Sequence, residues 1–189
     1  MHLTVVCQNG TRRSAALAAY IEYHRKENLI DGLTVKKAAI TDKNQLREQS
    51  KQSGRLRACE TACFANYSLE VRQLRQARAD VHPRIGIILL QEGITPVLEQ
   101  RVQILTPEII DDSDLVLTAT GDMKITAQGL TPHQERVQTI REYCGRAQGG
   151  LDVPDVRRYM TLFTKGRVKR DRKLCIELRE YALDIINKL

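Results

Sequence analysis

The sequence predicts an α/β domain of three layers, with a short four-stranded parallel sheet between helices, and three observations carry that prediction. An apolar run of β-formers, Leu3–Val6, is followed by a loop, an Ala-rich helical segment and a second β-rich run, Thr34–Ile40. A short buried-strand pattern returns at Leu115–Ala119. The chain then closes on a segment, about Asp171–Lys188, that puts Leu174, Leu178, Ala182, Ile185 and Leu189 on one helical face. Strand, helix and strand in this order make a right-handed crossover, which sets the ligand loop at the carboxyl end of the first strand.

Each element has a local cause. The first helix is expected over Ser14–Lys26, because AALAAYIEY is rich in the best helix former. Ile30-Asp31-Gly32 is a turn signal before the second strand. From Thr41 to about Val81 Gln, Arg, Lys and Ser dominate, and Tyr67, Val71, Leu74 and Val81 recur at helical spacing. Residues 42–81 therefore read as a basic, mostly helical insertion in a single domain spanning 1–189. Pro83 suits a first helical position, and that helix should end near Gly93. Thr95–Gln100 and a short helix from Thr106-Pro107-Glu108 lead into the third strand, Leu115–Ala119, and Arg136–Ile140 reads as the fourth.

Composition narrows the class. The chain has 189 residues and 42% apolar content, enough for one buried core. It contains no run of ~18 apolar residues and no charged-then-apolar leader, which predicts a soluble, cytoplasmic protein without a transmembrane segment. Five widely spaced cysteines, Cys7, Cys59, Cys63, Cys144 and Cys175, read as reduced thiols and not as a disulfide framework. The net charge of +7 points to anionic partners. Aromatic content of 4% without Trp leaves few stacking side chains, so nucleic acid is an unlikely partner.

The chemistry concentrates in LTVVCQNGTRRS, residues 3–14. The first strand delivers Cys7 into a loop closed by Arg13 and Ser14, with five residues between Cys7 and Arg13. A loop of that length can curl so that the N–H groups of Gln8, Asn9, Gly10, Thr11, Arg12 and Arg13 and the new helix N-terminus converge on one oxyanion. The same positive field should lower the Cys7 pKa, and the thiolate is the attacking form. Arg13 would grip two phosphate oxygens with its planar fork. Taken alone, Cys7 is equally a small buried residue at a strand end, and Asn9-Gly10 a plain turn.

VCQNGTRRS resembles the phosphate-binding loop of the low-molecular-weight protein tyrosine phosphatases, in which strand, nucleophilic cysteine, arginine and serine come in this order. VLEQRVQILTPEIIDDSDLVLTAT is similar to that family's approach to its third strand, RVQTIREYCG to its fourth, and LDVPDVRRY to its late acid loop. The match covers roughly three quarters of the chain, outside residues ~42–81. It implies the fold of that family and a cysteine-dependent phosphatase acting on phosphoproteins, with catalytic Cys7, Arg13, Ser14 and Asp155. Cys7 would attack phosphorus, Arg13 and the loop N–H groups would hold the equatorial oxygens, and Ser14 would hydrogen-bond the thiolate. Asp155 would protonate the leaving oxygen and then activate water. Composition alone divides that role evenly between Asp155 and Asp152; the family position selects Asp155. No metal or other cofactor is required, because Arg13 and oriented amides supply the charge stabilisation.

Several residues depart from the family pattern. Asn9-Gly10 reverses the usual Gly-Asn order, and Gly10 can supply the positive φ needed there. Arg12 stands where many members carry a second cysteine, and Val156 and Arg157 replace a Pro and an aromatic ring after the acid. Arsenate reductases of this fold need two further cysteines past the third strand, where this chain reads Ala119-Thr120-Gly121-Asp122. Cys59 and Cys63 read as incidental thiols, and His2, His24, His82 and His133 have no metal-ligand spacing. Between Lys43 and Asp80 eight basic residues face four acidic ones; Arg72, Arg75 and Arg78 step along a helix. That stretch is either a solvated face or a docking surface for an acidic protein or other anionic surface. The competing function is a catalytically weak phosphate-loop module that binds phosphorylated or anionic partners.

Overall fold

The computed structural model describes residues 1–41, 67–99, 101–154 and 164–189. Five parallel strands form one sheet in the order β3-β2-β1-β4-β5. They are β1 (His2–Cys7), β2 (Thr34–Ala39), β3 (Val102–Ile104), β4 (Leu115–Thr118) and β5 (Val137–Thr139). β1 lies at the centre, with Cys7 beside Ala39 of β2 and Val6 beside Thr118 of β4. The helices are α1 (Arg13–Glu27), α2 (Ser68–Gln76), α3 (Pro83–Gln91), α4 (Pro107–Asp111), α5 (Gly121–Gln128), α6 (Ile140–Tyr143) and α7 (Thr164–Ile186).

The sheet therefore has five strands where the sequence pattern predicts four. The added strand, β3, is three residues long and only half-buried, too short for alternation to register. It extends the sheet beyond β2, pairing Lys37 with Val102 and Ala39 with Ile104. α7 begins at Thr164, earlier than Asp171, and ends at Ile186, so Leu189 lies exposed beyond it. Arg78 has φ +50° and lies past the end of α2, so the Arg72–Arg78 row does not continue on one helix. Residues 42–66 of the insertion lie outside the described residues.

Two cores form because side chains on the strands alternate between faces. Leu3, Val5 and Leu117 point to the side covered by α1, α3 and α7, while Val6, Ala38 and Val116 meet Ile110 of α4 and Ala127 of α5. Ala15, Ala16, Leu17, Ala18, Ala19, Tyr20 and Ile21 are all buried, since α1 is sandwiched between the sheet and α7. Alanines allow that close approach on every side. Tyr20 donates its hydroxyl to Glu92 at 2.7 Å, and burial pushes its pKa well up. Among the described residues no helix is long and apolar enough to cross a membrane.

Charged side chains lie buried inside this frame, Lys37 among them. Lys37 of β2 is 1% exposed and donates Nζ–H to the Asp80 carbonyl. Burial brings its pKa down from 10.5 to about 8, while Asp80 and Cys7 pull it upward. A base whose folded pKa lies below its unfolded value gives up its proton first in the folded chain. The unfolded chain thus holds more protons between pH 8 and 10.5, and stability from this group rises with pH across that window. Lys37→Met should remove the rise. Urea unfolding of both proteins at pH 8, 9 and 10 is expected to show the wild type gaining on the variant by up to about 1.4 kcal/mol per pH unit. A pH-independent difference would contradict the assignment.

Candidate active site

β1 ends at Cys7, and the chain turns through residues 8–12 before α1 starts at Arg13. Two ties fix the loop's outgoing side: Thr41 N–H donates to the Gln8 carbonyl at 3.0 Å, and Gln8 Nε2 donates to Thr41 Oγ1 at 2.6 Å. Gly10 then adopts φ +66°, a left-handed conformation that costs glycine little. A Cβ at Gly10 would lie 2.4 Å from Cγ1 of Val102, so β3 presses directly on the loop. The N-cap residue Arg12 makes no side-chain cap hydrogen bond to α1.

Cys7 is buried, and its Sγ lies 3.1 Å from Ser14 Oγ in the first turn of α1. Ser14 can donate to a thiolate there. Arg13 is 4% exposed and donates Nη1–H to the Val153 carbonyl at 2.9 Å. Val153 N–H in turn donates to the Ala119 carbonyl at 2.8 Å, which stitches the 151–154 segment to the end of β4. A cleft of about 470 Å³ opens here, lined by Gln8, Arg13, Thr120, Met123, Val153 and Pro154 among others. It lies at the carboxyl ends of β1 and β4, where the strand order reverses direction and open α/β sheets take their ligands.

The two candidate acids differ. Asp152 lines the cleft, but its Oδ1 accepts from Gly121 N–H at 2.9 Å and so holds the start of α5. Asp155 lies outside the described residues, as do Val156 and Arg157; Pro154, just before them, lines the cleft. Thus Cys7, Gln8, Arg13 and Ser14 come together, with Asn9, Gly10 and Thr11 in the connecting loop. Arg12 is different. Its guanidinium faces Asp171 of α7 at 3.4 Å and His82 at 2.6 Å.

Sequence reasoning missed Val102, His82, Arg84 and Asp171 around the loop. His82 donates its main-chain N–H to the Thr11 carbonyl at 2.8 Å. Asp171 did leave a signal: it sits three residues before Leu174, on the apolar stripe of its helix, where a buried carboxylate needs a partner. The other three act across long sequence separations that no local pattern records.

No family model matches this sequence, and no curated protein sequence does. Solved structures match over the whole chain. YfkJ from Bacillus subtilis has TM-score 0.68 at 12% identity, with 93% of its own chain covered. The low molecular weight protein tyrosine phosphatase from T. tengcongensis has TM-score 0.64 at 20% identity, with 99% covered. The YwlE arginine phosphatase, seen as a cysteine-to-serine variant with a phosphorylated active-site serine, has TM-score 0.67 at 18% identity, with 95% covered. The chain has the fold of the low molecular weight protein tyrosine phosphatases.

Proposed function

We propose that this protein is a cysteine-dependent phosphatase that hydrolyses phosphoprotein substrates through a phosphocysteine intermediate. The observation that carries this is the 3.1 Å contact of Cys7 Sγ with Ser14 Oγ at the uncapped start of α1, beside a cleft floored by Arg13. In the first step the Cys7 thiolate forms an S–P bond as the P–O bond to the leaving group breaks. Asp155 gives its proton to the departing oxygen. In the second, Asp155 takes a proton from water, the water oxygen bonds to phosphorus, and phosphate leaves as the thiolate returns. Arg13 and the loop N–H groups hold the equatorial oxygens throughout, where charge spreads in the transition state.

The fold neighbours support this reading, including the phosphoryl group on the active-site serine of the YwlE variant. Among the described residues no aromatic ring lines the cleft, which leaves the leaving group unspecified between a phenol and, with a P–N bond breaking in place of P–O and the proton going to nitrogen, the guanidine of a phosphoarginine such as an arginine phosphatase takes. Purified protein should therefore be assayed on an aryl phosphate, phosphotyrosine peptide and phosphoarginine peptide. Release of phosphate from any of them supports hydrolysis. Phosphate binding without release on all three overturns it in favour of a binding module.

The acid makes a sharper test. Asp155→Asn is expected to slow phenyl phosphate hydrolysis by roughly 10²–10⁴, and far less for a leaving group that needs no proton. Asp152→Asn keeps an oxygen for Gly121 N–H and should change little. A loss independent of leaving group in Asp155→Asn, or a larger loss in Asp152→Asn, moves the acid elsewhere.

A further inference from the structure

Behind the phosphate loop lies an ionic cluster that the phosphoryl chemistry does not touch. Asp171 of α7 is 0% exposed. Its Oδ2 accepts from Arg84 Nε at 2.5 Å, and its Oδ1 lies 3.4 Å from Arg12 Nη1. Arg12 Nη2 reaches Nε2 of His82 at 2.6 Å, and His82 N–H holds the Thr11 carbonyl. A guanidinium only donates, so Nε2 of His82 must be the acceptor and the ring proton sits on Nδ1. Two consecutive loop residues, Thr11 and Arg12, are thereby held by the start of α3 and by α7, through side chains outside the lining of the cleft. The arrangement has a cost: a carboxylate and two guanidiniums taken out of water weaken the fold unless each stays hydrogen-bonded.

We propose that His82 and Asp171 are positioning residues for the phosphate loop, fixing Arg12 and through it the amides that face the anion. The proposal rests on the phosphatase reading for its kinetic test. Arg12 directly precedes Arg13, so a shift of its main chain moves the fork of Arg13 and the first N–H groups of α1 together. Displacements of that size act more on a transition state, which needs every donor aligned, than on a ground-state phosphate. Losing Asp171 would remove the carboxylate that Arg12 and Arg84 share and so loosen the hold on Arg12.

The test uses His82→Leu, which cannot accept from Arg12, His82→Gln, whose Oε1 can, and Asp171→Asn. His82→Leu and Asp171→Asn should each lower kcat on an aryl phosphate at least about tenfold with KM nearly unchanged, while His82→Gln stays within about threefold of wild type. Vanadate, a mimic of the five-coordinate transition state, should lose about tenfold in affinity in the first two variants and inorganic phosphate much less. Circular dichroism and Tm report the folded fraction, and His82→Gln keeps the proposal testable if Asp171→Asn fails to fold. Unchanged kcat in folded His82→Leu, or equal losses in His82→Leu and His82→Gln, overturns the positioning role. Wild-type protein without turnover overturns only hydrolysis, and the vanadate-to-phosphate ratio then decides the positioning role alone.

Discussion

Cys7→Ser is expected to leave no phosphate release from an aryl phosphate while phosphate still binds within a few-fold of wild type. The two halves have separate physical origins. Turnover needs a group that attacks phosphorus and then departs, and a serine oxygen, once phosphorylated, is a poor leaving group at neutral pH whereas a thiolate both attacks and departs. Binding needs Arg13, the loop amides and the N-terminus of α1, none of which the change touches. Ser14 Oγ, 3.1 Å from Sγ, remains to hydrogen-bond the new hydroxyl. Calorimetric titration with phosphate beside a release assay checks both halves. Turnover near the wild-type rate would remove Cys7 from the mechanism, and loss of phosphate binding together with turnover would show that the thiolate, not the loop, carries the anion site.

Gly10→Ala should be nearly as severe, for a reason of geometry alone. Its φ of +66° costs an L residue about 1–2 kcal/mol, and the added methyl would stand 2.4 Å from Cγ1 of Val102. The loop must shift to admit it, and a displacement of about 1 Å at such a site costs on the order of 10²-fold in rate. Adding Val102→Ala removes the clash but not the left-handed φ. The double variant is therefore expected to recover part of kcat/KM, and the recovered part measures how hard β3 presses on the loop. Gly10→Ala with wild-type activity would mean that the loop needs neither the conformation nor the contact.

The loop was legible in the sequence because it is local. Cys7, Arg13 and Ser14 fall within eight consecutive residues, and a strand before them and an Ala-rich helix after them are both strong short-range signals. Gly10 was legible for the same reason, as its left-handed backbone is written in the residue type. What surrounds the loop was not. β3 is three half-buried residues whose identity as a strand comes from pairing with β2 and not from its own pattern. The partner of the Arg12 guanidinium, Asp171, lies 159 residues away, beyond the reach of any local pattern. Lys37 is buried with its Nζ–H on the Asp80 carbonyl, a contact across 43 residues of sequence. The count of strands and the partners of the Arg12 guanidinium were missed through the same cause: tertiary contacts decide them, and periodicity records only one element at a time.

The central place of β1 also sets the order in which the molecule can assemble. β2 is available soon after β1, but its other neighbour, β4, aligns Leu3 with Leu115, and α7 closes on the loop later still. At ribosomal speeds of about 5–20 residues per second, β1 waits on the order of ten seconds for its second partner. During that interval Leu3, Val5 and Val6 form an open apolar edge, and contacts of such long sequence separation make folding slow. The nascent chain accordingly carries Cys7 without the walls of its cleft. Cys7 leaves the ribosome long before Thr118 and Asp171, and the pocket around it is complete only with them.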